Sequence, residues 1–276
     1  MTQLIRRSLL ASSLAIAIFS SSSAAAGPFN DPGYDPILMV TWATEVHEAL
    51  PGPMDVAMPE LGLADFGVPQ NAVGPPNGNS LSVYTLGDGG SITLYFESGI
   101  TDGEGDDFAV YENGFWGPGG LFAEFAFVDV SSDGLNYASF EVTTLRTTAV
   151  APFAAVDPSD YENFAGDQPL NLGTGFDLEE LASHPLVIAE LLDLNDIRYV
   201  RLIDVVGNGS GLDDSDQPIY DPYPTGFSAG GFDVDAVGVL HAAPEPDASA
   251  MLIVGSVWLT LASRRRRQVR PCVPSR

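Results

Sequence analysis

The densest chemistry in the chain is the run Asp102-Gly103-Glu104-Gly105-Asp106-Asp107. Acidic side chains alternating with glycine let a tight loop aim several carboxylates inward, and Ca2+ takes about six to eight such oxygens. The opening spacing is that of an EF-hand, but Asp107 stands at the sharp-turn glycine and Asn113 at the bidentate glutamate, so this is a different loop. Glu112 closes the segment that follows. Asp233 and Asp235 are two apart, which in a regular strand puts them on one face with Val237 and Val239. Carboxylates on an inward face need a cation, an arginine or backbone N–H donors. Asp102, Glu104, Asp106, Asp107, Glu112, Asp233 and Asp235 are therefore the candidate metal ligands, with Ca2+ the expected ion. Asp213, Asp214, Asp216 and Asp221 form a further acidic group.

Beside the first loop, Tyr111, Phe115 and Trp116 are aromatic, and aromatic faces stack on sugar rings. Tyr111 and Trp116 are the expected ligand contacts, with Gly117, Pro118, Gly119 and Gly120 as a rim. No catalytic residue is assigned. His47, His184 and His241 lie far apart and lack zinc-motif spacing. No nucleophile elbow is present. Acids are so abundant that a pair at glycosidase spacing carries little information. Arg201 near Asp204 reads as a structural charge.

These residues need a scaffold, and the pattern around them is β. Ile92, Leu94 and Phe96 alternate onto one face of a strand. Segments 108–111, 125–130, 140–143, 199–206 and 232–240 follow, with Gly and Asp between them. Residues 27–79 read as a loosely structured lead-in packing on the sandwich, with an edge strand or helical turn within 37–50. One helical insertion is expected over 178–192, opened by Asp177 with Glu180 and interrupted by Pro185. The predicted fold is all-β: an antiparallel two-sheet β-sandwich of jelly-roll type over residues 80–242, with a short helical insertion.

The ends carry addresses. Arg6 and Arg7, an apolar run from Leu9 to Phe19 and Ala24-Ala25-Ala26 read as a secretory signal peptide spanning residues 1–26. At the other end, Pro244-Glu245-Pro246 precedes an apolar stretch over 248–262 and Arg264-Arg265-Arg266-Arg267. Such an order describes a stop-transfer tail, its arginines held in the cytoplasm. Between the two lies an extreme charge balance. The chain has no lysine, and residues 27–243 hold 35 acidic side chains against Arg146, Arg198 and Arg201, near −32. A surface of that sign repels nucleic acid and anionic lipid and attracts cations. The one cysteine, Cys272, lies beyond the arginines, so no disulfide framework or thiol nucleophile serves the domain.

The tail over 243–276 resembles the PEP-CTERM sorting signal. That resemblance implies an exosortase-type protease cutting at the Pro-Glu-Pro site. It also implies passage through the inner membrane and delivery to the cell surface or extracellular polysaccharide matrix. The interior is similar to a largely uncharacterised family of secreted bacterial cell-surface proteins. The likeness is carried by the segments 86–94, 102–108, 112–115, 127–134, 204–207 and 230–237. It implies a surface sandwich of discoidin-like or carbohydrate-binding outline. The expected function is a non-catalytic surface module, Ca-stabilised, binding polysaccharide or surface partners. A carbohydrate-active hydrolase and a purely structural coat subunit are the alternatives.

Overall fold

A computed structural model describes residues 29, 32–118 and 120–244. The signal segment lies outside the described residues, as does the sorting tail from Glu245 onward with Pro246 and the arginine cluster; only Pro244 of its motif lies within them.

The first strands are β1 (Thr41–Trp42), β2 (Glu45–Leu50), β3 (Tyr84–Thr85), β4 (Ser91–Ile100) and β5 (Phe108–Glu112). Then come β6 (Phe115–Gly117), β7 (Gly120–Phe122), β8 (Ala126–Ser131), β9 (Ala138–Ser139) and β10 (Thr143–Thr144). The rest are β11 (Tyr161–Glu162), β12 (Gly173–Phe176), β13 (Ile197–Asp204), β14 (Asn208–Leu212), β15 (Pro218–Tyr220) and β16 (Asp233–Val239). One sheet runs β1-β16-β5-β12, with β3 also on β16; the other runs β2-β4-β13-β8-β9. The pairings within both are antiparallel.

The sandwich follows from strand alternation. Ile92, Leu94 and Phe96 point inward from β4, beside Val128 and Val130 of β8 and Val200 and Leu202 of β13. Phe108 and Val110 of β5, Phe176 of β12 and Val237 and Val239 of β16 meet them from the facing sheet. The lead-in is part of this frame: β1 pairs with β16 and β2 with β4, adding a strand at the edge of each sheet.

Three local expectations change. The strand expected over 140–143 is broken into β9 and β10, because Phe140 enters the main core while Val142 enters a second one with Phe125, Tyr161 and Phe164. Pro185 does not interrupt a helix but begins one, Pro185–Ile188, where its missing N–H costs nothing. Asp177 caps the 3-10 turn Leu178–Leu181 through the Glu179 N–H, while the Glu180 carboxylate accepts from the Asn163 amide.

A fourth change bears on the site. The register of β16 shifts between Val234 and Ala236, so Asp235 is a bulge residue. Val234, Val237 and Val239 share the core, whereas Ala236 faces outward onto Ala109 and Tyr111. Strict alternation would have put Asp233 with Val237; the extra residue moves Val234 there instead.

Candidate functional site

The seven expected ligands divide between the two ends of β5. At its start, Asp107 is fully buried and accepts from the Gly103 and Leu178 N–H groups at 2.7 and 2.8 Å. His241 Nδ1 lies 2.8 Å from the same carboxylate. Burial pushes the Asp107 carboxyl up, against those N–H donors and His241, which pull it down. Carboxylate oxygens of Asp102, Asp107 and Asp177 lie within 4.8 Å of one another, the one such trio among the described residues. Glu104 and Asp106 are outside it. Asp177 was visible in the sequence only as a helix cap, which it also is.

Glu112 lies five residues further along, roughly 16 Å at a strand's rise. It ends β5 opposite Val234, one residue from Asp233, which pairs with Thr85. The fold adds Glu124 before β8, Asp204 at the end of β13, Asp221 after β15 and Asp88 in the turn before β4. All of these are buried. Sequence reading missed Glu124 altogether and carried Asp88 only within the segment 86–94, because each stands alone among neutral neighbours.

Backbone donors hold several of these oxygens. Phe232 and Gly89 N–H groups donate to the two oxygens of Asp204 at 2.7 and 2.9 Å. Gly231 N–H donates to Glu124 at 3.1 Å, Phe125 N–H to Asp221 at 3.3 Å, and Gly114 N–H to Glu112. The Thr85 hydroxyl and the Asn113 amide donate to Asp233. Two glycines are required here. A Cβ on Gly207, whose φ is +73°, would stand 1.6 Å from an Asp221 oxygen; one on Gly231, φ +85°, would stand 2.8 Å from an Asp204 oxygen. Four of the six segments singled out in the sequence, 86–94, 112–115, 204–207 and 230–237, meet at this end.

The electrostatics are unbalanced. Burial drives Glu112 well above the ordinary carboxylate range, with the Asp233 and Asp235 charges adding to it. Glu124 is raised by burial and then by Asp233, Asp221, Glu112 and Asp204. Asp204 and Asp221 are raised chiefly by burial as well. Burial lifts Asp233 and Asp235 to about 6. The arginines are occupied elsewhere: Arg201 on Asp129 and over the Tyr137 ring, Arg198 on Asp196, Arg146 on the Thr148 carbonyl. Arg201 is thus the structural charge expected, with Asp129 rather than Asp204 as its partner.

No protein-family model matches the chain. No curated protein matches it either. The chemistry therefore has to come from the geometry.

The remaining acidic group is architectural. Asp213 accepts from the Ser215, Gln217 and Thr144 N–H groups, and Asp214 from Val142, pinning the β14–β15 turn to the β10 segment.

The aromatic expectation also changes. Tyr111 has no exposed surface and packs against Trp42, so it cannot touch a ligand. Trp116 does face water, at 64% exposure. A separate row, which the sequence had not joined, runs through four phenylalanines: Phe115 stacks on Phe122 at 5.1 Å, Phe122 on Phe153 at 6.4 Å, and Phe153 on Phe227 at 5.6 Å. Phe153 is 67% exposed. The β6–β7 hairpin supplies Phe115 and Phe122; the other two rings come from loops far away in sequence.

Proposed function

We propose that this protein is a non-catalytic, calcium-stabilised module of the cell surface or extracellular matrix that holds polysaccharide against its exposed aromatic row. The observation that carries the reading is the row itself. Four rings from three separate segments stack continuously while leaving Phe115, Phe153 and Phe227 open to water. Contiguous apolar surface of this kind marks an interaction site, and flat aromatic faces suit sugar rings. Glu112, Glu124, Asp204 and Asp221 are closed to solvent, which favours a structural use over the hydrolase alternative.

Calcium enters as a stabiliser, with Asp102, Asp107 and Asp177 as the ligand trio whose oxygens converge. Export by the N-terminal signal, transient anchoring in the inner membrane and exosortase cleavage at Pro244-Glu245-Pro246 complete the proposal. Among the described residues no helix is long and apolar enough to cross a membrane, and the tail lies outside them.

Retention on a panel of insoluble neutral polysaccharides tests the reading. Phe153→Ala and Phe115→Ala should each lower retention roughly three- to tenfold, about 1 kcal/mol of lost stacking, with the unfolding midpoint unchanged. Wild-type protein that ignores every polysaccharide, or variants retained as well as wild type, would refute it.

A further inference from the structure

We propose that the end of the sandwich from which the chain leaves is a membrane-seating face. While the tail is anchored, Ile37, Leu135 and Ile188 dip into the surface of a zwitterionic phospholipid bilayer. The proposal rests on reading the tail as an anchor, and goes beyond it by making the folded domain a second membrane contact.

Topology gathers these residues. β4 ends at Ile100, opposite Ile197 at the start of β13, and β8 ends at Ser131 against Tyr199 of the same strand. In the other sheet β5 begins at Phe108, opposite Phe176 where β12 ends and Val239 where β16 ends. β1 begins at Thr41, also opposite Val239. The Thr101 N–H donates to the His241 carbonyl at 2.9 Å, joining the β4 end to the β16 end. The connections 101–107, 132–137 and 177–196 and the turn Pro36–Leu38 before β1 therefore lie at one end.

Three of these segments present a bare aliphatic side chain. Ile37 is 85% exposed, Leu135 84% and Ile188 73%, the three most exposed aliphatics among the described residues. Single apolar residues scattered over a surface are ordinary. These three arrive from separate segments at a single end, where Leu38, Val40 and Leu191 are exposed as well.

The occupant follows from where the described chain stops. Ala242 bridges to Ile100, and the Ala243 N–H donates to the Gly99 carbonyl at 3.2 Å, so Pro244 leaves beside the end of β4. The tail's apolar run begins at Ala248. Four residues span at most roughly 14 Å. An embedded run therefore holds this end, and not the Phe115 end, against the bilayer. Membrane binding scales with the apolar area buried, and three aliphatic tips alone make a weak contact. A short tether raises the effective concentration to about millimolar, so contacts too weak for a free protein become populated. The surrounding charge selects the lipid. Asp102, Glu104, Asp133, Glu190 and Asp193 are exposed on the same connections. They repel anionic headgroups, which leaves a zwitterionic surface for the tips to enter.

The full chain in phosphatidylcholine vesicles with EDTA tests the face. On a Cys272→Ser background, an environment-sensitive fluorophore is attached at Ile37→Cys, Leu135→Cys or Ile188→Cys. Leu81→Cys, beside Asn113 at the other end of β5, is the control, and Ser256→Cys reports the tail. Nitroxide-bearing lipid should quench the Ser256→Cys label, and should quench the three tips roughly threefold more than Leu81→Cys. Ile37→Asp with Ile188→Asp should bring the Leu135→Cys label down to the Leu81→Cys level without moving the unfolding midpoint. A quenched Ser256→Cys label with tips that behave like Leu81→Cys overturns the seat and leaves the anchor standing. An unquenched Ser256→Cys label overturns the anchor, and the seat with it. Tips shielded from aqueous iodide yet not reached by lipid nitroxide would put a second copy on this face, which also overturns the proposal.

Discussion

Single carboxylates here act in three ways that the residue type does not reveal. Asp213 is a hub for three N–H groups, which hold it below the usual carboxylate range despite the opposing effect of burial. Asp107 shares its oxygens between two N–H groups and His241. Asp88 has a single strong donor, the Val56 N–H at 2.7 Å; burial first, then the Asp55 charge, puts it at about 6. Its folded value lies above the ordinary one. The stability Asp88 contributes is therefore complete below about pH 4 and is lost as pH rises through about 6. Thermal midpoints in EDTA should fall over that window, and Asp88→Asn should make the fall shallower. An unchanged slope would show that Asp88 titrates alike in the folded and unfolded chain.

At the scale of the element, the bulge in β16 is an added residue rather than a slipped register. Removing Asp235 leaves Val234 opposite Glu112, Ala236 opposite Tyr111 and Val237 opposite Val110, a regular ladder with the core face intact. Deleting Asp235 should therefore preserve cooperative unfolding. Deleting Val237 removes the same extra residue but seats Ala236 opposite Val110 in the core in its place, so it should lower the unfolding midpoint well below that of the Asp235 deletion. Circular dichroism melts of the two deletions distinguish these outcomes, and equal damage from both would contradict this account of the bulge. The hairpins and short edge strands were the elements least legible beforehand. β12, Gly-Thr-Gly-Phe, has only Phe176 and Thr174 to mark it, and it exists because β5 offers an edge for pairing. β13, by contrast, announced itself through alternation, since both of its neighbours hold it in the middle of a sheet.

The whole molecule carries its charge without compensation, near −32 over residues 27–243. Self-repulsion at that level opposes compaction, and salt screens it within about 10 Å at 0.1 M. Raising NaCl from 0.05 to 1 M in EDTA should raise the unfolding midpoint, by about 1–2 kcal/mol or roughly 2–8 °C at this size. Saturating Ca2+ should shrink that gain, because bound ions already offset part of the repulsion. Calorimetric melts across the salt series check both statements; a midpoint independent of salt would mean that the charges are too dispersed to matter.

Composition and alternation were enough to determine the all-β class, the inward faces of the central strands and the acidic character. Each depends on near neighbours in the chain, and a strand's two-residue period is visible wherever Ile92, Leu94 and Phe96 recur. Tertiary structure alone decided which acids belong together. Asp102 and Asp107 sit close to Glu112 in sequence yet at the other end of an extended strand, while Glu124, Asp204 and Asp221 come from far along the chain to the same interior. The same holds for Phe115, Phe153 and Phe227, and for Tyr111, whose ring is covered by Trp42. An extended chain separates near neighbours by more than 3 Å per residue and packing rejoins distant ones. Proximity in sequence therefore measures little about proximity of charge or ring.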